Sequence, residues 1–229
     1  MRESTVGRVA IVAARNEGER IGATLDALSV ALPGARLLVA DDASSDGTAE
    51  TAMRKGAWAI SRGRQHGKGA NVTAAAQAAI GEFDDRTTVL LCDADLGASA
   101  GRLTALMDAV EGEECDLAVA TFAEPRGGGF GVALGYARTA VERSCSAQLA
   151  APLSGQRAMR LITLRGLLPF AEGWGMETGM TIDAVRAGLR VSEIELPLEH
   201  RATGRTPTGF LHRARQLRDI RRAARARAR

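Results

Sequence analysis

The 229-residue sequence has few aromatic residues, few lysines and few cysteines, and each scarcity excludes something. Phe, Trp and Tyr make up 3% of the chain, and only Lys55 and Lys68 among its 30 basic residues are lysine, a bias that reads as genome composition rather than chemistry. Three widely spaced cysteines, Cys92, Cys115 and Cys145, form no CxxC pair, which argues against a disulfide framework or a zinc ribbon and for a reducing compartment. No apolar run approaches the roughly 20 residues that span a bilayer, and the N-terminus lacks a leader-like pattern. The expectation is a cytoplasmic protein, at most peripheral at the inner membrane face. There is no internal repeat.

Charge is unevenly placed. Residues 201–229 hold ten arginines against the single acid Asp219, a net +9, which leaves −6 on the other 200 residues of a chain whose net charge is +3. An acidic body with a basic arm is not a uniformly basic nucleic-acid coat, so the arm needs its own explanation.

The hydrophobic content of 45% supports a proper core within one domain. Arg8 to Ala14 is a run of small and β-branched residues with the character of a strand buried on both faces. Helical spacing of Ile21, Leu25 and Leu28 follows, stopped by Pro33-Gly34. Further strands are expected at 35–40, 57–61, 87–92, 116–121 and 189–198, with helices at 47–55, 70–80, 99–111 and 130–149 and one carrying Ile182 and Val185. Alternation of this kind implies βαβ units, a mostly parallel sheet and helices on both faces. The loops at 14–17, 41–47, 62–69 and 93–97 should then share the carboxyl edge, where such sheets bind ligands.

The chemistry-bearing residues concentrate in those loops. Asp93 and Asp95 sit one residue apart after an apolar strand, a spacing at which two carboxylates can address one hard divalent cation, although an acidic turn has the same pattern. Asp41 and Asp42 end another strand and read either as ligands of a base or ribose or as an Asx turn. Gly67-Lys68-Gly69 opens a helix, a setting that favours phosphate, but it completes neither a dinucleotide fingerprint nor a P-loop. His200 follows the last strand, where an imidazole could complete a metal's coordination, more naturally for Mn²⁺ than for Mg²⁺.

Taken in order, Ala14-Arg15-Asn16-Glu17, Val39 to Thr48, Gly67 to Gly69 and Leu91 to Leu96 resemble family-2-type glycosyltransferases of the GT-A fold, over roughly residues 8–206. Pro152 to Arg160 and Arg201 to Thr206 look like elements of polyprenyl (dolichyl) phosphate glycosyltransferases. Gly173 to Asp183 and His200-Arg201 are instead similar to glucosyl-3-phosphoglycerate and mannosylglycerate synthases. The resemblance implies a nucleotide-binding half at about 8–97, an acceptor half at about 98–206, and a separate basic helix or tail at 207–229.

Carried over by position, the resemblance puts Ala14, Arg15 and Glu17 against the nucleoside, Asp42 at the base, Lys68 near base or diphosphate, and Asp93 with Ala94 at the ribose or metal. Asp95 would ligate Mg²⁺ or Mn²⁺, with His200 as a further ligand. Leu153, Ser154 and Gly155 would line the sugar and acceptor pocket, with Arg157 and Arg201 near phosphates. Where the family usually has Asp-Asp-Gly-Ser, this chain has Ala43, which suggests a turn that does not need positive φ.

The activity so implied moves a hexose from a UDP- or GDP-linked donor to a polyprenyl phosphate or to a small phosphorylated or carboxylated acid such as 3-phosphoglycerate. The metal and Arg201 would offset charge on the departing diphosphate, and Glu177 is the candidate base should the acceptor be a hydroxyl. The rivals are a HAD-type phosphatase, whose Asp-x-Asp belongs on the first strand, and a non-enzymatic nucleotide- or RNA-binding domain with a basic arm. For the arm three readings stand: a helix lying on anionic lipid, a lid carrying His212, or a solvated tail. A homodimer is also allowed, and nucleic acid is the less favoured partner.

Overall fold

The computed structural model describes residues 7–122, 131–199 and 207–228, with side chains left aside for 207–213. Seven strands form one sheet: β1 (Arg8–Ala14), β2 (Arg36–Asp41), β3 (Trp58–Ser61), β4 (Thr88–Asp93), β5 (Leu117–Phe122), β6 (Arg157–Arg160) and β7 (Val191–Leu196). Their spatial order is β3-β2-β1-β4-β6-β5-β7. β1, β2, β3 and β4 run parallel, as does the β5–β7 pair, whereas β6 is antiparallel to both β4 and β5. The expected mostly parallel α/β sheet is present, but β6 had no counterpart among the expected strands. At four residues it is too short to show a period in the sequence.

Helices cover both faces. On one side lie α1 (Ile21–Ala31), a 3-10 turn at Gly97–Leu103 and α4 (Thr104–Glu111), over a core that includes Val12, Leu25, Leu90 and Leu106. On the other lie α3 (Lys68–Glu82), α6 (Leu161–Gly166) and α7 (Met176–Arg186), over Ile11, Val72, Val89 and Met180. Alternate β1 residues thus belong to opposite cores, which is why its seven residues show no polar alternation. α2 (Thr48–Arg54) links β2 to β3 at the sheet edge, and α5 (Gly131–Cys145) follows β5.

Register sets the functional edge. Ala14 is paired with Asp41 and Ala13 with Asp93, so both acidic strand ends lie level with the end of β1. α3 begins at Lys68, two residues before the expected start, which places that lysine in the helix's first turn. The expected helix at 99–111 is divided between the 3-10 turn and α4.

The basic arm is a helix, α8 (Pro207–Ala226), and the described part of it is docked rather than solvated. Gln216, Ile220, Ala223 and Ala224 are buried, and Arg227 forks onto both oxygens of Asp183 at 2.6–2.8 Å. Contact is close because the facing 3-10 turn Gly173–Gly175 has glycine at both ends, on either side of Trp174. A Cβ on Gly175 would come within 2.6 Å of the Ala223 Cβ and 2.8 Å of the Asp219 carbonyl. Gly175→Ala is therefore expected to lower stability in urea unfolding by about 1–3 kcal/mol. Gly166→Ala, where nothing lies within 4 Å of the new carbon, should leave the midpoint nearly unchanged.

Candidate active site

The loops after β1 and β2 are tied together at the carboxyl edge. The Asn16 N–H donates to Ser44 Oγ, the Ser45 N–H to Asn16 Oδ1, the Glu17 N–H to Thr48 Oγ1 and the Gly18 N–H to Asp46 Oδ2. The turn between them corrects the expectation drawn from Ala43: this residue has φ 54°, in the left-handed region. The alanine is held there by its surroundings, with the Ser44 N–H donating back to Asp41 Oδ2 at 3.2 Å. The other Asp41 oxygen is buried without a hydrogen-bond partner among the described residues.

Asp42 is 5% exposed and committed to the backbone. Its carboxylate accepts the N–H groups of His66 (2.7 Å) and Gly67 (3.1 and 3.2 Å) and the Asn71 side-chain amide, which satisfies donors at the start of α3. It shapes the loop that presents Lys68, and the structure gives its oxygens this task where the sequence suggested base reading. Ala14 is buried, with its carbonyl accepting the Asp42 N–H, and Arg15 is exposed. Glu17 pairs with Arg20 at 2.6 Å. That hydrogen bond, working against burial and reinforced by Asp95, raises the Arg20 guanidinium above its usual pKa.

The centre of the edge is a partly buried charge cluster. Lys68 Nζ lies 2.6 Å from Asp93 Oδ1 and 2.7 Å from Glu177 Oε1, and Asp93 Oδ2 accepts the Gln156 side-chain amide at 2.9 Å. Burial alone would lower the lysine's pKa, but the two carboxylates outweigh it and hold the ammonium above its usual value. Glu177 stands in the first turn of α7 and is 3% exposed. Paired in this way, it is not disposed as a free base toward an acceptor hydroxyl. Gly155 closes the cluster: a Cβ there would lie 2.6 Å from Lys68 Nζ and 2.9 Å from Asp93 Oδ2.

Arg157 requires a correction. It was expected near a phosphate, but it is fully buried, donating to the carbonyls of Ser154 (2.8 Å) and Pro152 (3.1 Å) and to Thr181 Oγ1 (3.0 Å). Burial pulls its pKa down to about 10, against the pull of Glu177 and Glu193. Its work is to hold the 152–155 segment over the cluster. Ser154 is buried too, and Leu153 packs toward Ala133, Ala137 and Ile220 rather than lining an open pocket.

Asp95 is partly exposed beside this cluster. Thr24, buried on α1, shapes its turn by donating to the Ala94 carbonyl and accepting the Gly97 N–H. The Glu199 N–H donates to Ser99 Oγ at 2.9 Å, which brings the chain next to the same turn just before His200. His200 and Arg201 lie outside the described residues. Among the described residues no group of three or more His, Cys, Asp and Glu gathers as a metal cage. Two hard carboxylates at one turn, both partly exposed and one already holding a cationic stand-in in Lys68, nevertheless suit a divalent ion that shares its coordination with substrate oxygens.

Gln156, Asn71, Thr24 and Arg20 escaped the sequence reading. For Thr24 and Asn71 a signal existed, a polar residue at a helix's buried positions; for Gln156 none did, because its partner is 63 residues away.

An Asp-x-Asp turn level with an acidic second strand end and a helix-borne lysine matches the glycosyl transferase family 2 model over residues 9–162. The chain belongs to that family. The matched segment runs from β1 to the start of α6 and leaves out Glu177 and α8. No curated protein matches the chain. Among solved structures it is similar to glucosyl-3-phosphoglycerate synthase from Mycobacterium tuberculosis. With the complex holding Mn²⁺, UDP and glucosyl-3-phosphoglycerate it shares 26% identity and a TM-score of 0.78, covering 97% of this chain and 80% of that one. The complex with Mg²⁺ and UDP gives 24% identity and a TM-score of 0.78 over 97% and 79%, a likeness of fold.

The strained turn of this glycosyltransferase is open to test. Ala43→Gly should stabilise the protein by about 0.5–1 kcal/mol, the left-handed penalty less the entropy glycine loses on folding. Equilibrium denaturation would show it; a destabilised variant would mean the turn relaxes at no cost.

Proposed function

We propose that this family-2 glycosyltransferase transfers a hexose from a UDP-linked donor, with a divalent cation, to a small phosphorylated or carboxylated acid of the 3-phosphoglycerate class. The observation that carries the reading is the convergence of Asp93, Lys68, Gln156 and Glu177 at the carboxyl edge beside Asp95. It is supported by 26% identity, over nearly the whole chain, to a synthase solved with Mn²⁺, UDP and glucosyl-3-phosphoglycerate.

In this mechanism Asp93 and Asp95 would hold Mg²⁺ or Mn²⁺, with His200 as a further ligand. The bound cation would supply charge compensation for a nucleoside diphosphate leaving group. The chain's own contribution is positional. The linked loops 14–18 and 41–48 form the edge on which Arg15 and Glu17 face a nucleoside. The first turn of α3 and the Lys68 ammonium present positive potential to phosphate oxygens. Arg157 holds the 152–155 segment in place beside the cluster. Arg201 adds charge near the phosphates of donor or acceptor.

One observation favours a second acceptor, a polyprenyl phosphate reached from an anionic membrane surface. α8 leaves Arg215, Arg218, Arg221, Arg222 and Arg225 exposed, although no described helix is long and apolar enough to cross a membrane.

UDP is expected to bind much more tightly with Mn²⁺ than in EDTA, and Asp95→Ala should lower kcat/KM about 100-fold, the scale of losing one charge-stabilising group. Full activity in that variant, or UDP binding indifferent to metal, overturns the reading. Offering radiolabelled sugar nucleotides with 3-phosphoglycerate or polyprenyl phosphate should label the small acid; labelled lipid would decide for the second acceptor.

A further inference from the structure

We infer that Lys68 is a resident cation which a divalent metal displaces from Asp93, and that Glu177 is the positioning residue that retains the displaced ammonium beside the metal. The inference rests on the metal-dependent reading above and goes beyond it by assigning Glu177 a task other than proton transfer.

The geometry gives one ammonium two carboxylates. Lys68 Nζ bridges Asp93 Oδ1 and Glu177 Oε1 at 2.6 and 2.7 Å, but the two anions differ in access: the Asp93 side chain is 35% exposed, Glu177 only 3%. A cation arriving from solvent can reach Asp93 and not Glu177. It cannot share Asp93 with the ammonium cheaply, because like charges a few ångströms apart in a partly buried site repel strongly. Gln156 holds the second Asp93 oxygen and keeps the carboxylate in place during the exchange.

Charge accounting makes the exchange smooth. Before it, one ammonium serves two carboxylates and the partly exposed Asp95 lies within electrostatic reach of Arg20. Afterwards the divalent ion serves Asp93 and Asp95, and Lys68 keeps Glu177, so no buried charge is left without a counterion. Without Glu177 the displaced ammonium would be stranded, and metal binding would carry that cost.

The residue types fit the task. Nζ sits where a Cβ on residue 155 would lie 2.6 Å away, so the space admits a compact ammonium beneath a glycine. In a chain that uses arginine for 28 of its 30 basic positions, this one is lysine. A planar guanidinium would grip a carboxylate by two bonds and release it less readily.

The chain's two lysines make the test direct. In protein labelled with ¹⁵N-lysine, two side-chain signals arise, from Lys68 and from the exposed Lys55–Asp26 pair. Adding Mg²⁺ with UDP should shift the Lys68 signal and leave that of Lys55 in place. Mn²⁺ affinity, measured by calorimetry with and without UDP, should fall roughly 5- to 50-fold in Glu177→Gln, the range expected for coupling within one charge network. In the double variant Lys68→Met/Glu177→Gln, where the partly exposed Asp93 carboxylate is the one charge of the trio that remains and has no ammonium to give up, Mn²⁺ should bind more tightly than to wild type. A Lys68 signal unmoved by Mg²⁺, or weaker Mn²⁺ binding in the double variant, overturns the inference while leaving the proposed activity standing. Wild-type protein that takes up neither metal in the presence of UDP overturns both.

Discussion

The ammonium of Lys68, held between Asp93 and Glu177, is the contact on which the arrangement of the carboxyl edge depends. Lys68 opens α3, Asp93 ends β4 and Glu177 opens α7, so three elements distant in the chain meet at one charge. A buried carboxylate such as Glu177 is tolerable only with a partner, and removing one member of such a pair costs several kcal/mol, about 3–5. The surrounding structure accommodates that pair. Gly155 gives up its side chain to it, Gln156 fixes the second oxygen of Asp93, and Asp42 anchors the loop leading into α3.

Arg157 shows how a polar residue can be structural in such a site. Its guanidinium is spent on the carbonyls of Pro152 and Ser154 and on Thr181, which fixes the 152–155 segment against α7. A comparable economy runs through α8. Its inner face meets the Gly173–Gly175 turn, and Gly173 in turn lies close to Gly67, so the basic helix backs the same loop that carries Lys68. The acidic body and the basic arm are joined there by Arg227 on Asp183, while the outer arginines stay exposed.

Much of the architecture was legible. Apolar runs bounded by polar loops gave away the parallel strands, and the rule that ligands bind beyond strand carboxyl ends put 14–17, 41–47, 62–69 and 93–97 on one edge. The short antiparallel β6 was not legible, and with it went the placement of Gly155, Gln156 and Arg157. Ala43 misled for a different reason. Its intrinsic preference is against positive φ, but the hydrogen bonds that close its turn from Asp41 and bind the next residues to Asn16 outweigh about 1–2 kcal/mol of local cost.

By itself the sequence determined the fold class, the family and which motif residues lie at the carboxyl edge, because these depend on periodicity and on short motifs whose residues are neighbours in the chain. Only the tertiary structure decided what those groups do to one another. Lys68 and Glu177 are 109 positions apart, and nothing local says that one neutralises the other or that Arg157, written inside a binding-site motif, is wholly buried. Whether a charged side chain meets solvent, substrate or an opposite charge is settled by packing between distant segments, and in this protein that packing turns a presumed base and a presumed phosphate ligand into parts of the frame that holds Lys68 against Asp93.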